Sequence, residues 1–221
     1  TSLSACFMKH FINTQEHPRG ELEKILKRAR EMKAGATSRA LEGKSVALVF
    51  FNPSLRTRVS FEVGIHQLGG QAVSMSVGSE SWSLEHREGA VMDADKTEHV
   101  KDAARVLSRY VDAICVRSFP QMKSYEEDMA DAVIEAFRKY SDVPVISMES
   151  GLYHPCQGMA DMMTIQEAGK KKVVLTWAYH PKALPMAVPN SFALITSQFG
   201  CDLTLAWPKE FPLEARILGA I

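Results

Sequence analysis

FFNPSLRTRVSFEVGIHQLGG, Phe50 to Gly70, is the stretch on which the fold turns. It begins at the end of an apolar run, Val46 to Phe51, whose lack of alternation suits a strand buried on both faces. Asn52 and Pro53 break the run, and Ser54 opens a segment with helical spacing. Arg56 and Arg58 fall in the first turn of that helix. A helix start carries unpaired backbone N–H groups and the positive end of the helix dipole. Hydroxyls and guanidinium groups added there predict a site for a phosphate-like anion. The competing view makes Ser54 an ordinary N-cap and leaves the arginines solvated. Gly69 and Gly70 close the helix.

Outward from this stretch, strand and helix signals alternate. Glu21 to Lys33 has one apolar face and predicts a helix. Ser45 to Phe51 predicts a strand, Thr57 to Leu68 a helix and Gln71 to Val77 a strand. A polar loop follows from Gly78 to Gly89, then helix from Lys96 to Arg109 and strand from Val111 to Val116. Tyr125 to Tyr140 reads as one charged amphipathic helix, and Val143 to Met148 as the next strand. The expected fold class is therefore α/β, a parallel sheet with helices on both faces. After Glu149 the start of a second doubly wound α/β domain is expected. It has helices at Gln157 to Ala168 and Ala187 to Phe199, and strands around Val173 to Trp177 and Cys201 to Ala206. The expected domains are 1–150 and 151–221, and the second is expected to be truncated, because so few elements cannot easily cover a sheet.

Composition excludes several classes. Lys+Arg and Asp+Glu are both 26, so a formally neutral chain gives no support for bulk attraction to nucleic acid or anionic membranes. No apolar run reaches the roughly 18 residues of a membrane-spanning helix. The N-terminal TSLSACFMKHFINTQ lacks the basic region and apolar core of a signal peptide. Cys6, Cys115, Cys156 and Cys201 form no CxxC pair, so reduced thiols in a cytosolic protein are the simplest expectation. Seven scattered histidines with no HExxH predict no metal site.

In open α/β sheets, ligands sit beyond the carboxyl ends of the strands. The polar groups expected there are Ser54 to Arg58, Arg117, and the segment ESGLYHPCQ from Glu149 to Gln157. His154 precedes a proline and a helix start, so its imidazole is a candidate for the cleft, against the alternative of a packed or surface ring. Cys156 has no base spaced to activate it, which disfavours nucleophilic catalysis.

Ser54-Leu55-Arg56-Thr57-Arg58 resembles the Ser-x-Arg-Thr-Arg phosphate signature of the aspartate and ornithine carbamoyltransferase family. His154-Pro155-Cys156-Gln157 resembles that family's second signature in its ornithine-type form. The LTWAYHPKALPMAVPNSF stretch and Trp82 resemble the subgroup acting on N-acetylornithine or N-succinylornithine. The resemblance implies that carbamoyl phosphate binds Ser54, Leu55, Arg56, Thr57, Arg117, His154, Pro155, Cys156 and Gln157. It also implies that Trp82 comes from an adjacent chain of a homotrimer. Arg56, Thr57 and His154 would stabilise the charge developing at the carbonyl oxygen, and Glu149 would contact the acylated ornithine. Neither cofactor nor metal is implied, nor a nucleic-acid or membrane partner. Acyl choice in the subgroup tracks one position in the helix after the tryptophan loop, placed here at Thr97. The acetyl form carries Glu there, and Thr97 matches neither form.

The family's later His-Cys-Leu-Pro segment, a substrate-binding lysine and a final arginine are absent from the 221 residues. Three alternatives accordingly stand beside the N-acylornithine transferase: an ornithine or aspartate carbamoyltransferase, a non-catalytic carbamoyl-phosphate-binding remnant, and a generic α/β phosphotransferase. The last would want a GxxxxGK[ST] loop, which the chain lacks.

Overall fold

A computed structural model describes residues 10–93, 97–120, 124–179 and 185–221. In chain order the elements begin with β1 (His10–Phe11), α1 (Arg19–Lys33), β2 (Ser45–Phe50), α2 (Leu55–Gln67) and β3 (Gln71–Ser76). There follow β4 (Leu84–Glu85), β5 (Glu98–His99), α3 (Val100–Tyr110), β6 (Ala113–Arg117), α4 (Tyr125–Met129) and α5 (Ala132–Tyr140). The rest are β7 (Val145–Glu149), α6 (Pro155–Glu167), β8 (Lys172–Thr176), α7 (Ala187–Gln198), β9 (Asp202–Ala206) and α8 (Ala215–Leu218). The expected parallel α/β arrangement is what forms. A five-stranded sheet has the order β1-β7-β6-β2-β3, and β8 and β9 make a separate parallel pair.

The chain divides into two units that interleave in sequence. One comprises residues 1–11, 39–116 and 132–146, and the other 12–38, 117–131 and 147–221. In the first, β2 is buried from Val46 to Phe50, as its unbroken apolar run requires. It pairs with β3 in parallel, from Ser45 opposite Gln71 to Phe50 opposite Ser76. Gly70 lets the chain pass close to Leu41, because a Cβ there would lie 2.9 Å from the Leu41 Cβ. In the second unit, β8 and β9 alternate exposed and half-buried residues. The inward set, Leu175, Leu203 and Leu205, packs on Ala193, Leu194, Leu213 and Ile217.

Several expectations need correction. The helix expected from Tyr125 to Tyr140 is two helices, because Asp131 adopts φ +52° between α4 and α5. Its carboxylate is drawn to Ser150 and Gly151, a distant pairing that overrides the local helical pattern. The helix expected from Lys96 begins at Val100, where the His99 ring accepts the Lys101 N–H at 3.0 Å as a cap. Lys96 itself lies outside the described residues, as do Cys6 and residues 180–184 of the LTWAYHPKALPMAVPNSF stretch. The polar loop contains β4, which pairs in parallel with β5.

Candidate functional site

The turn expected to hold an anion is built by the end of β2 and the start of α2. Ser54 is the N-cap, with extended backbone (φ −156°, ψ 119°). Its Oγ accepts the Thr57 N–H at 3.3 Å and donates to Thr57 Oγ1 at 2.9 Å. One hydroxyl pair thus locks the first turn. The N–H groups of that turn precede any intrahelical acceptor. Leu55 is 79% exposed, and Arg56 is exposed with no hydrogen bond or ion pair among the described residues. Arg58 is committed elsewhere. It donates to Ser76 Oγ at 2.7 Å, stands 4.0 Å from Glu80 and lies over the Phe50 ring at 4.8 Å. Two residues apart on a helix, the arginines point to different sides, and only Arg56 is left for a ligand. Trp82 lies in the loop after β3 with 64% of its surface exposed.

In the other unit, Arg117 ends β6, Glu149 ends β7 and His154 is the N-cap position of α6. Arg117 and Glu149 are both buried and form a short ion pair through Nη1 and Oε2. His154 Nε2 lies 3.6 Å from the same carboxylate oxygen. Burial, and then the Arg117 charge, push the imidazole down to about 4, so the ring is neutral near pH 7. The His154–Glu149 contact is therefore one of a carboxylate with a neutral ring, and not an ion pair. Burial raises the Glu149 carboxyl, and Arg117 opposes this. The Arg117 guanidinium also covers the Phe119 ring at 4.5 Å. Arg117 Nε and His154 Nδ1 are buried with no hydrogen-bond partner among the described residues. Such atoms are costly unless something satisfies them.

Beyond His154, Pro155 occupies the first helical position and is buried. Burial pushes the Cys156 thiol up to about 11, and its Sγ sits 3.9 Å from the Ser147 carbonyl oxygen. A thiol so protonated is no nucleophile at neutral pH. Gln157 Nε2 donates to Asp161 Oδ1 at 2.8 Å. Thr97 is exposed and lies just before β5, outside any helix or strand, not on the helix where it was expected. Ser54 to Thr57 and Trp82 belong to the first unit, and Arg117, Glu149 and His154 to Gln157 to the second.

Sequence reasoning took Arg117 and Glu149 separately and missed that they pair. It also missed the side chains that hold the loop before His154: Asp131, Ser150, Asn190 and Ser191. Only the Ser150-Gly151 turn signal hinted at them. Among the described residues no group of three or more His, Cys, Asp or Glu side chains is placed to hold a metal, and no helix is long and apolar enough to cross a membrane.

Residues 9–167 match the family model for the aspartate/ornithine carbamoyltransferase carbamoyl-P binding domain. The chain is 49% identical over 218 residues to an N-acetylornithine carbamoyltransferase of Xanthomonas campestris pv. campestris, covering 96% of this chain and 64% of that protein. It is 36% identical over 217 residues to an N-succinylornithine carbamoyltransferase of Bacteroides fragilis, covering 96% and 68%. A solved acetylornithine transcarbamylase complexed with acetylcitrulline superposes with a TM-score of 0.92 at 47% identity, covering 96% of this chain and 65% of that one. The chain thus spans a little under two thirds of the Xanthomonas relative's length. The Ser54–Arg58 turn lies inside the matched region, and the chain belongs to the aspartate/ornithine carbamoyltransferase family.

Proposed function

We propose that the full-length gene product transfers the carbamoyl group of carbamoyl phosphate to the δ-amine of an N-acylated ornithine, giving N-acylcitrulline and phosphate. The observation that carries this is the locked first turn of α2, with the Arg56 guanidinium exposed and uncommitted. The phosphate of carbamoyl phosphate would take the N–H groups and hydroxyls of Ser54, Leu55, Arg56 and Thr57, joined by Arg117. His154, Pro155, Cys156 and Gln157 would line the carbamoyl end. A neutral His154 donates one N–H to the carbonyl oxygen without giving up a proton. The neutral δ-amine attacks the carbonyl carbon, and a tetrahedral oxyanion forms near Arg56, Thr57 and His154. The C–O bond to phosphate then breaks, and the amine loses its proton. Positioning and fixed charge supply the rate, with no covalent enzyme intermediate.

The acceptor is assigned as N-acylornithine on the 49% and 36% identities to proteins of those names. Glu149 is proposed to contact it. Thr97 brings no carboxylate to repel a succinyl group, which favours tolerance of the succinyl form, whereas the neighbouring Glu98 would supply such a carboxylate by a small shift in register; the acceptor is accordingly N-acetylornithine or N-succinylornithine. Homotrimeric assembly, with Trp82 reaching the neighbouring subunit, is supported by the exposed indole and by Leu55, Val59 and Val63, exposed at four-residue spacing on α2. A place in arginine biosynthesis and a cytoplasmic location complete the proposal. They are supported by the relatives' names and by cysteines that form no CxxC pair. The test is stoichiometry. Carbamoyl phosphate and N-acetylornithine should yield acetylcitrulline and phosphate in equal amounts; phosphate release without acetylcitrulline overturns the assignment.

A further inference from the structure

Asp131 stands where the sequence reads as continuous helix, yet its φ is +52°, in the left-handed region that few non-glycine residues adopt. Its N–H closes on the Asp128 carbonyl at 3.3 Å, ending α4. The carboxylate is thereby aimed at the segment after β7. Oδ1 accepts the Gly151 N–H at 3.0 Å, and Oδ2 accepts the Ser150 hydroxyl in a short bond. Ser150 Oγ in turn accepts the N–H groups of Tyr153 at 3.1 Å and Leu152 at 3.3 Å, while the Ser150 N–H donates to the Tyr153 carbonyl at 2.8 Å. The fit is close, since a Cβ on Gly151 would lie 3.2 Å from the Asp128 carbonyl oxygen.

On the α7 side, Asn190 Nδ2 donates to the Leu152 carbonyl at 3.1 Å, and Ser191 Oγ accepts the His154 N–H at 2.7 Å. The loop joining Glu149 to His154 has no regular structure of its own. Side chains from outside it fix its path, and with it the direction of the imidazole.

We infer that Asp131 is a positioning residue: its carboxylate latches the Ser150–Tyr153 turn and so holds His154 against Arg117 and Glu149. The kinetic consequence rests on the transferase reading above; the positional one does not.

The test uses the full-length gene product and three variants. Asp131→Gly keeps the backbone conformation at no steric cost and removes the carboxylate. Ser150→Ala removes the hydroxyl and leaves the Asp131 backbone alone. Asp131→Asn tolerates the left-handed backbone and keeps an acceptor for Gly151. The charged groups facing the imidazole, Arg117 on β6 and Glu149 on β7, are untouched in all three.

Asp131→Gly and Ser150→Ala should each lower kcat on the order of tenfold or more, with KM for carbamoyl phosphate within about twofold. Asp131→Asn should recover most of kcat. In NMR titrations the His154 ring should charge at a higher pH in the two disrupted variants than in wild type, where it charges only near 4. A folded Asp131→Gly protein, or a folded Ser150→Ala protein if the former does not fold, whose His154 titrates as in wild type overturns the inference, whether or not kcat falls. A displaced His154 titration in a protein that never forms acylcitrulline leaves the latch standing and removes the transferase reading instead.

Discussion

At the scale of residues, Arg56 and Arg58 look equivalent in sequence and are not equivalent in space. Arg58 is spent on Ser76 and the Phe50 ring, and Arg56 is spent on nothing in the described chain. Arg56→Ala should therefore lower kcat/KM by about two to three orders of magnitude, with little change in thermal stability. Arg58→Ala should show the reverse emphasis, losing about 1 kcal/mol of folding stability. Steady-state kinetics and urea unfolding on both variants separate the two roles. His154 gives a second prediction. Its folded value near 4 lies below the ordinary 6.5, so between these the unfolded chain takes up a proton that the folded chain refuses. Stability present above about pH 6.5 is thus lost as pH falls toward 4, by about 2–3 kcal/mol from this group. Glu149 works the opposite way, because its raised carboxyl takes up a proton earlier when folded. The His154→Gln variant isolates the histidine: its urea midpoint should fall less between pH 7.5 and 5 than that of wild type, and an equal fall would contradict the account.

At the scale of elements, the cap on α2 and the contact between α6 and α7 are the places to press. Ser54→Ala removes an N-cap acceptor and should cost about 1 kcal/mol, read by chemical denaturation. Gly158 faces α7 so closely that an added Cβ would sit 3.2 Å from the Ser191 carbonyl oxygen. Gly158→Ala should cost about 1–3 kcal/mol by overpacking and disturb the residue that holds the His154 N–H. The elements legible in sequence were those whose pattern is local. The apolar run of β2 announced burial on both faces, the alternation of β3 a half-exposed strand, and Ser54 a helix start. The break in Tyr125–Tyr140 was not legible, because Asp131 is bent by partners 19 and 20 residues away. The two-residue strands β1, β4 and β5 are too short to carry a periodic signal.

At the scale of the whole molecule, strand ends named the candidate residues but not how they pair. Ser54, Arg56, Thr57 and His154 could be picked because each sits at a strand-to-helix junction. The Arg117–Glu149 ion pair spans 32 residues, and sequence offers each partner alone. Assembly is the remaining claim at this scale. Trp82→Ala should raise the KM for carbamoyl phosphate several-fold, and mixing it with Arg56→Ala should restore part of the activity through hybrid sites; mixtures no more active than their components would contradict sharing between chains. The most direct measurement is product formation by the full-length gene product with carbamoyl phosphate and each of N-acetylornithine, N-succinylornithine, ornithine and aspartate. The account predicts acylcitrulline from one or both of the N-acylated acceptors and at most trace turnover of the others. Turnover of unmodified ornithine at a comparable rate would contradict it.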